Sequence, residues 1–156
     1  MHLTIEKMDE NAAGEITGWR YEEPYDFYNH KDEETGELLE GSYRAIMDEH
    51  GDLVGFLCTG TSAQIPAGHK IGAYNENCVD IGLGMAPAFT GKGNGYAFCT
   101  FIIEYIQQQY PDVSLRLSVA TFNRRAIHLY HKLGFVKKGR ISTETADFMT
   151  MVRRGR

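Results

Sequence analysis

Apolar residues recur along this chain with two periods, and the changes of period mark its elements. His2 to Met8 alternates and predicts an opening strand. Asp9 stands as the cap of a helix running to about Trp19. Trp19 to Asn29 holds five aromatics in eleven residues, and Pro24 breaks any helix through it. Residues 30–41 are charged and read as a loop. Ser42 to Asp48 and Leu53 to Thr61 predict an antiparallel hairpin around the turn Glu49 to Asp52. Ser62 to Asn77, with Pro66, Gly68 and Gly72, reads as a long connection with room for a short strand near Lys70–Ala73.

Val79 to Met85 predicts a strand that leads into a glycine-rich turn. A helix follows from Gly95 to about Gln109, with Phe98, Phe101, Ile102, Tyr105 and Ile106 on one stripe and Pro111 as its stop. Leu115, Leu117 and Val119 alternate with Arg116 and Ser118 in a further strand. Asn123 caps a helix that gathers Ala126, Leu129, Tyr130 and Leu133 on one face, and Gly134 ends it. Phe135 to Arg140 and Ala146 to Val152 predict a closing strand pair. Nothing in 156 residues repeats, so a single domain over 1–156 is expected.

Composition narrows the classes. No run approaches the ~20 apolar residues of a membrane helix, and no secretory signal is visible. Cys58, Cys78 and Cys99 are far apart, which fits a reducing cytoplasm and argues against a disulfide framework. The histidines form no cluster at metal-ligand spacing, so no metal is expected. Charge is divided unevenly: residues 1–50 carry a net −10 and residues 51–156 a net +5. Overall acidity argues against nucleic-acid partners. The split suits a basic half that binds an anion and an acidic half that faces a cation. It equally suits a solvated acidic loop from Lys31 to Glu40.

The chemistry concentrates in the turn after Met85. A strand that feeds glycines at a helix start is an anion cradle: N–H groups point outward, and the helix dipole favours phosphate. Gly91, Gly93 and Gly95 are expected to allow positive φ and close approach. A Walker loop is disfavoured, because no Ser or Thr follows Gly91-Lys92. A dinucleotide fingerprint is disfavoured by the spacing of Gly91, Gly93 and Gly95. The pyrophosphate loop of acyl-CoA-dependent acyltransferases, [RQ]-x-x-G-x-[GA], fits Gly93 and Gly95 but not Thr90 at its first position.

A second element lies downstream: Asn123, Ala126, Tyr130, Gly134 and Phe135 spaced as N-x-x-A-x-x-x-Y-x-x-x-G-F. With the glycine loop, in this order and spacing, the stretch Val79 to Phe135 resembles the GNAT superfamily of N-acyltransferases. The resemblance implies an α/β (α+β) fold: a central, mostly antiparallel mixed sheet with helices on both faces. It implies acetyl-CoA as acetyl donor and a primary amine as acceptor, on a small molecule or on a peptide or protein. It implies direct transfer in a ternary complex. A homodimer is left open, and no membrane partner is expected.

Site residues follow from the same resemblance. Main-chain groups of Thr90, Gly91, Lys92, Gly93, Asn94, Gly95 and Tyr96 would hold the CoA pyrophosphate. Leu83 and Met85, on a strand expected to splay from its neighbour, would pair with the pantetheine amides. Asn123 would contact the pantetheine arm or serve as a helix cap alone. Tyr130 would protonate the departing thiolate, or merely pack in the core. Asp80, Glu22, Glu23 and Asp26 are candidate bases for the ammonium; Asp80 reads equally as an exposed strand residue. The aromatics from Trp19 to Tyr28 would line the acceptor pocket or form a lid. Cys99 is expected to be an inert hydrophobe and His128 and His131 to face solvent. The opposing class is a non-catalytic acyl-CoA-binding sensor.

Overall fold

The computed structural model describes residues 1–155, the side chain of Asp32 excepted. Its elements in chain order are β1 (Thr4–Lys7), α1 (Glu10–Gly18), α2 (Thr35–Leu39), β2 (Arg44–Met47), β3 (Leu53–Thr59), β4 (Val79–Met85), α3 (Gly95–Gln109), β5 (Leu115–Ala120), α4 (Arg124–Lys132), β6 (Val136–Ser142) and β7 (Asp147–Arg153), with several 3₁₀ turns. The strands form a mixed seven-stranded sheet in the order β1-β2-β3-β4-β5-β7-β6, flanked by helices. β4 and β5 run parallel; the pairs β1–β2, β2–β3, β5–β7 and β6–β7 run antiparallel. The chain divides into two compact units, Met1–Cys58 with Leu83–Asn94, and Thr59–Gly82 with Gly95–Arg156.

In the first unit, Asp9 caps α1 by accepting from Ala12 N at 2.8 Å. α1 buries Ala13 and Ile16, and β3 buries every residue from Leu53 to Cys58. The turn joining β2 to β3 is held by Asp48, whose Oδ1 accepts from the N–H groups of His50 and Asp52 at 2.9 and 3.0 Å. Residues 30–41 are not the loop expected. A 3₁₀ turn over Asp32–Glu34 leads into α2, because Leu38, buried to 2 % exposure, gives this charged stretch an anchor.

In the second unit, α3 buries Phe98, Cys99, Ile102, Ile103 and Ile106. The stripe is thus turned one position from the expected one, and Phe101 and Tyr105 are half-buried at its rim. β5 is covered on both faces: Leu115, Arg116, Leu117, Val119 and Ala120 are all buried. No strand forms at Lys70–Ala73. Residues Pro66–Ile71 wind as a 3₁₀ helix that ends on Gly72 in the left-handed region, φ +71°. α4 ends as expected, with Gly134 at φ +96° turning the chain so that Phe135 enters the core at 1 % exposure.

Candidate functional site

The glycine loop belongs to the first unit and runs straight into α3. At the end of β4 the N–H of Ala86 donates to Val54 O at 2.7 Å, and a 3₁₀ turn over Pro87–Phe89 follows. Thr90 commits both its donors to one acceptor: its N–H at 3.2 Å and its hydroxyl at 2.8 Å go to Pro87 O. The N–H expected to serve a ligand therefore closes the turn instead, together with the hydroxyl. Asn94 Nδ2 donates to Phe89 O at 3.0 Å and ties the far side of the loop back to that turn.

Between these ties Gly91 and Gly93 adopt φ +69° and +80°. A side chain is strained there, and a Cβ built on Gly93 meets nothing within 4 Å, so the loop faces open space. Gly95 differs from the expectation. It is already helical, and its need for glycine is spatial: a Cβ would stand 3.0 Å from Leu129 Cδ2 of α4. Lys92 and Tyr96 are exposed. The first N–H groups of α3 have no intrahelical acceptor, as at any helix start.

β4 is the second component. Its parallel ladder with β5 comprises Val79↔Leu115 and Asp80↔Arg116. On its other half, in the first unit, β4 carries Leu83, Gly84 and Met85. A Cβ on Gly84 would lie 2.3 Å from Phe56 Cε2, so the Phe56 ring rests directly on the Gly84 backbone. The Met85 carbonyl accepts from the Tyr21 hydroxyl at 2.6 Å. Burial pushes the Tyr21 phenol up to about 12. Tyr21 is fixed at its other end too, its N–H donating to Asn29 Oδ1 at 2.8 Å. The aromatic segment is thereby pinned to the end of β4.

Phe56 gathers this region. Trp19 stacks on it at 6.3 Å between centroids, Tyr43 at 6.0 Å, and His30 meets it edge-on at 5.9 Å. His30 Nδ1 lies 2.6 Å from Glu34 Oε2. Glu22, Glu23 and Asp26 are exposed in the same segment. Sequence reading had no means to find Tyr21, Phe56 or His30 as a set, because only the fold brings them to Gly84 and Met85.

The second unit holds the other named residues. Asp80 is not an exposed strand residue: it is 4 % exposed and Arg116 is 2 % exposed. Arg116 Nε donates to Asp80 Oδ1 at 2.6 Å and Nη2 to Oδ2 at 2.8 Å, and Gln64 Nε2 also reaches Oδ2 at 2.8 Å. Nη1 of Arg116 donates to Glu76 O at 3.0 Å, and the guanidinium lies 5.0 Å from the centre of the Tyr74 ring. The pair with Asp80 raises the Arg116 guanidinium above its ordinary value. Both carboxylate oxygens of Asp80 accept hydrogen bonds within this buried network.

Asn123 caps α4, its Oδ1 accepting from Ala126 N at 3.1 Å. Tyr130, in the last turn of α4, is half-buried and meets Phe135 edge-on at 6.0 Å. Its carbonyl accepts from Leu133 N and Phe135 N at 3.1 and 3.0 Å, which fixes the turn carrying the ring. His128 and His131 are exposed. Cys99 is 2 % exposed, and burial pushes its thiol up to about 12.

Comparison with known proteins shows the family and the fold. The profile of the acetyltransferase (GNAT) family matches residues 9–135. The mycothiol acetyltransferase of Renibacterium salmoninarum is 38% identical over 91 residues, which cover 58% of this chain and 25% of that protein. The chain thus spans about a quarter of the length of this curated relative. A chimera of the Vibrio cholerae spermidine N-acetyltransferase SpeG with hSSAT superposes with a TM-score of 0.70, at 20% identity, over 99% of this chain and 96% of that one. A dodecameric spermidine N-acetyltransferase from Vibrio cholerae gives a TM-score of 0.63 at 20% identity, over 98% and 94%. These structures share the fold. No helix is long and apolar enough to cross a membrane among the described residues.

Proposed function

The chain belongs to the acetyltransferase (GNAT) family, and we propose that it moves an acetyl group from acetyl-CoA to a primary amine by direct attack in a ternary complex. The observation that carries this reading is the head of α3. Gly91 and Gly93 lie in the left-handed region there, and Gly93 faces open space, between a turn closed by Thr90 and a helix N-terminus. Main-chain N–H groups from Gly91 to Tyr96 would hold the pyrophosphate, with Lys92 adding charge. When bound, acetyl-CoA supplies a thioester carbonyl open to attack. Leu83 and Met85 would pair with the pantetheine through their backbone groups. Because the Met85 carbonyl already holds Tyr21, its remaining lone pair is the one offered.

Tyr130 would protonate the leaving thiolate, and Asn123 would touch the pantetheine arm while capping α4. Asp80 is better assigned to holding the strand pair than to taking a proton, since Arg116 and Gln64 occupy both its oxygens. The net −10 over residues 1–50 favours a cationic acceptor. Spermidine, the acceptor in the names of the structural neighbours, is the first amine to test.

The test is calorimetric titration of acetyl-CoA into wild type and Gly93→Val, followed by thiol release with a panel of amines. Micromolar binding lost in Gly93→Val, with amine-dependent thiol release by the wild type, supports the reading. Binding without thiol release for any amine would make the chain a sensor. No binding by folded wild type would remove the cofactor site.

A further inference from the structure

We infer that His30, held by Glu34, is the general base that takes the proton from the acceptor ammonium; this rests on the acetyl-transfer reading above. The base is the one role in that reading without a residue. Asp80 is locked in its ion pair, and Glu22, Glu23 and Asp26 are exposed carboxylates with nothing to orient them toward β4.

His30 has what a base requires. Its Nδ1 lies 2.6 Å from Glu34 Oε2, four residues on, with the His30 side chain 22% exposed and the Glu34 side chain 36%. A carboxylate on Nδ1 selects the tautomer that carries its proton there, and so leaves a lone pair on Nε2. Nε2 takes no hydrogen-bond partner among the described residues. The backbone is fixed as well: Arg20 Nη1 reaches His30 O at 3.4 Å, and Tyr21 N is held by Asn29 Oδ1. The segment from residue 20 to residue 30 is therefore closed at its base.

That base stands against the donor strand. Tyr21 reaches the Met85 carbonyl, and the Phe56 ring that His30 meets edge-on lies on the Gly84 backbone. His30 is thus one aromatic ring away from β4, where the reading above seats the thioester arm. A bland alternative exists, in which the imidazole only packs on Phe56 and pairs with Glu34. The carboxylate on Nδ1, the partial exposure of the ring and its place beside Phe56 are what favour the base.

The step balances. The ammonium gives one proton to Nε2, and the free amine forms the new N–C bond at the thioester carbonyl. The C–S bond breaks, Tyr130 gives its proton to the thiolate, and the second nitrogen proton restores Tyr130. The imidazolium returns its proton to solvent. In this scheme His30 is the catalytic residue and Glu34 a positioning residue.

The experiment compares wild type, His30→Gly, His30→Gln and Glu34→Gln. Acetyl-CoA binding is followed by calorimetry, and thiol release with spermidine, glucosamine and an Ala-initiated peptide. His30→Gly should lose roughly 10²-fold or more in kcat, bind acetyl-CoA as wild type does, and recover activity when imidazole is added. His30→Gln keeps a donor toward Glu34 without a basic nitrogen, and should lose as much without disturbing folding. Glu34→Gln should lower kcat more than KM and shift the ring ¹⁵N resonances of His30 toward a mixed tautomer. Full activity in both His30 variants would overturn the inference and leave the transferase reading standing. Lost activity that imidazole does not restore in a folded His30→Gly, with His30→Gln fully active, would reduce His30 to packing. A wild type that binds no acetyl-CoA, or releases no thiol with any of these amines, would overturn both together.

Discussion

Asp80→Asn decides between two uses of one carboxylate. If Asp80 holds Arg116, the substitution leaves a guanidinium 2 % exposed facing an amide. Of two hydrogen bonds, at 2.6 and 2.8 Å, the amide oxygen keeps one and the amide nitrogen turns the other donor against donor. Removing one partner of a buried pair costs about 3–5 kcal/mol, because the remaining charge stays desolvated. Here Glu76 O at 3.0 Å and the Tyr74 ring at 5.0 Å still receive some of that charge, which places the cost near the lower end, about 3 kcal/mol. For a chain of this size that lowers the thermal midpoint by roughly 6–12 °C. Replacing both partners, as in Asp80→Leu with Arg116→Met, should restore most of the loss, since a well-packed apolar pair avoids the desolvation penalty altogether. The assay is thermal unfolding followed by circular dichroism, with acetyl-CoA binding measured below the transition. An Asp80→Asn protein with an unchanged midpoint would refute the ion-pair argument. Such a protein with kcat reduced 10²-fold would also return Asp80 to the list of bases.

Three further outcomes are expected. With a disulfide reagent, folded protein should release one prompt equivalent from Cys78, while Cys58 and Cys99, 3% and 2% exposed, react only on unfolding; burial raises the Cys78 thiol, so even its rate should climb with pH. In an alkaline absorbance titration, Tyr21→Phe should remove a phenol that ionises at about 12. Because that value is raised from 10.0, Tyr21 stabilises the fold fully below pH 10, and its contribution disappears as pH rises through 12. Asn123→Ala should cost ~1 kcal/mol of stability as a lost N-cap, while Asn123→Asp keeps the cap; weaker acetyl-CoA binding in Asn123→Asp, by calorimetry, would separate contact with the pantetheine arm from capping.

The parts of this fold legible in the sequence are those encoded within a few residues. Asp9 and Asn123 cap helices because a short side-chain oxygen reaches the N–H three residues on, wherever the rest of the chain lies. Gly134 must leave the helix with positive φ, and it does. The strand, turn and helix from Val79 to Gln109 were readable for the same reason. Small errors arose where local signals are ambiguous. On α3 the pattern allows two adjacent stripes, and the one chosen by the fold admits Cys99 and Ile103. α2, five residues long, is too short to show a period, and only buried Leu38 betrays it.

What the sequence withheld is set by residues far apart in the chain. In β5 the alternation of Leu and Arg reads as one dry face and one wet face. β5 lies between β4 and β7, however, and is covered on both, so Arg116 is buried and must find a carboxylate. Asp80, paired with it in register on β4, is that carboxylate. The requirement explains why an acid that reads as an exposed strand residue in sequence is buried in an ion pair in space. Gly84 makes the complementary case. No local turn requires glycine there, since β4 is extended; the reason is Phe56, whose ring fills the place of a side chain. By omitting that side chain, β4 lets Phe56 lie on its backbone and bring His30 to its edge. The glycine loop is legible within a few consecutive residues. The cluster of Tyr21, His30 and Phe56 on β4 needs β3, β4 and the segment from Trp19 to Glu34 together.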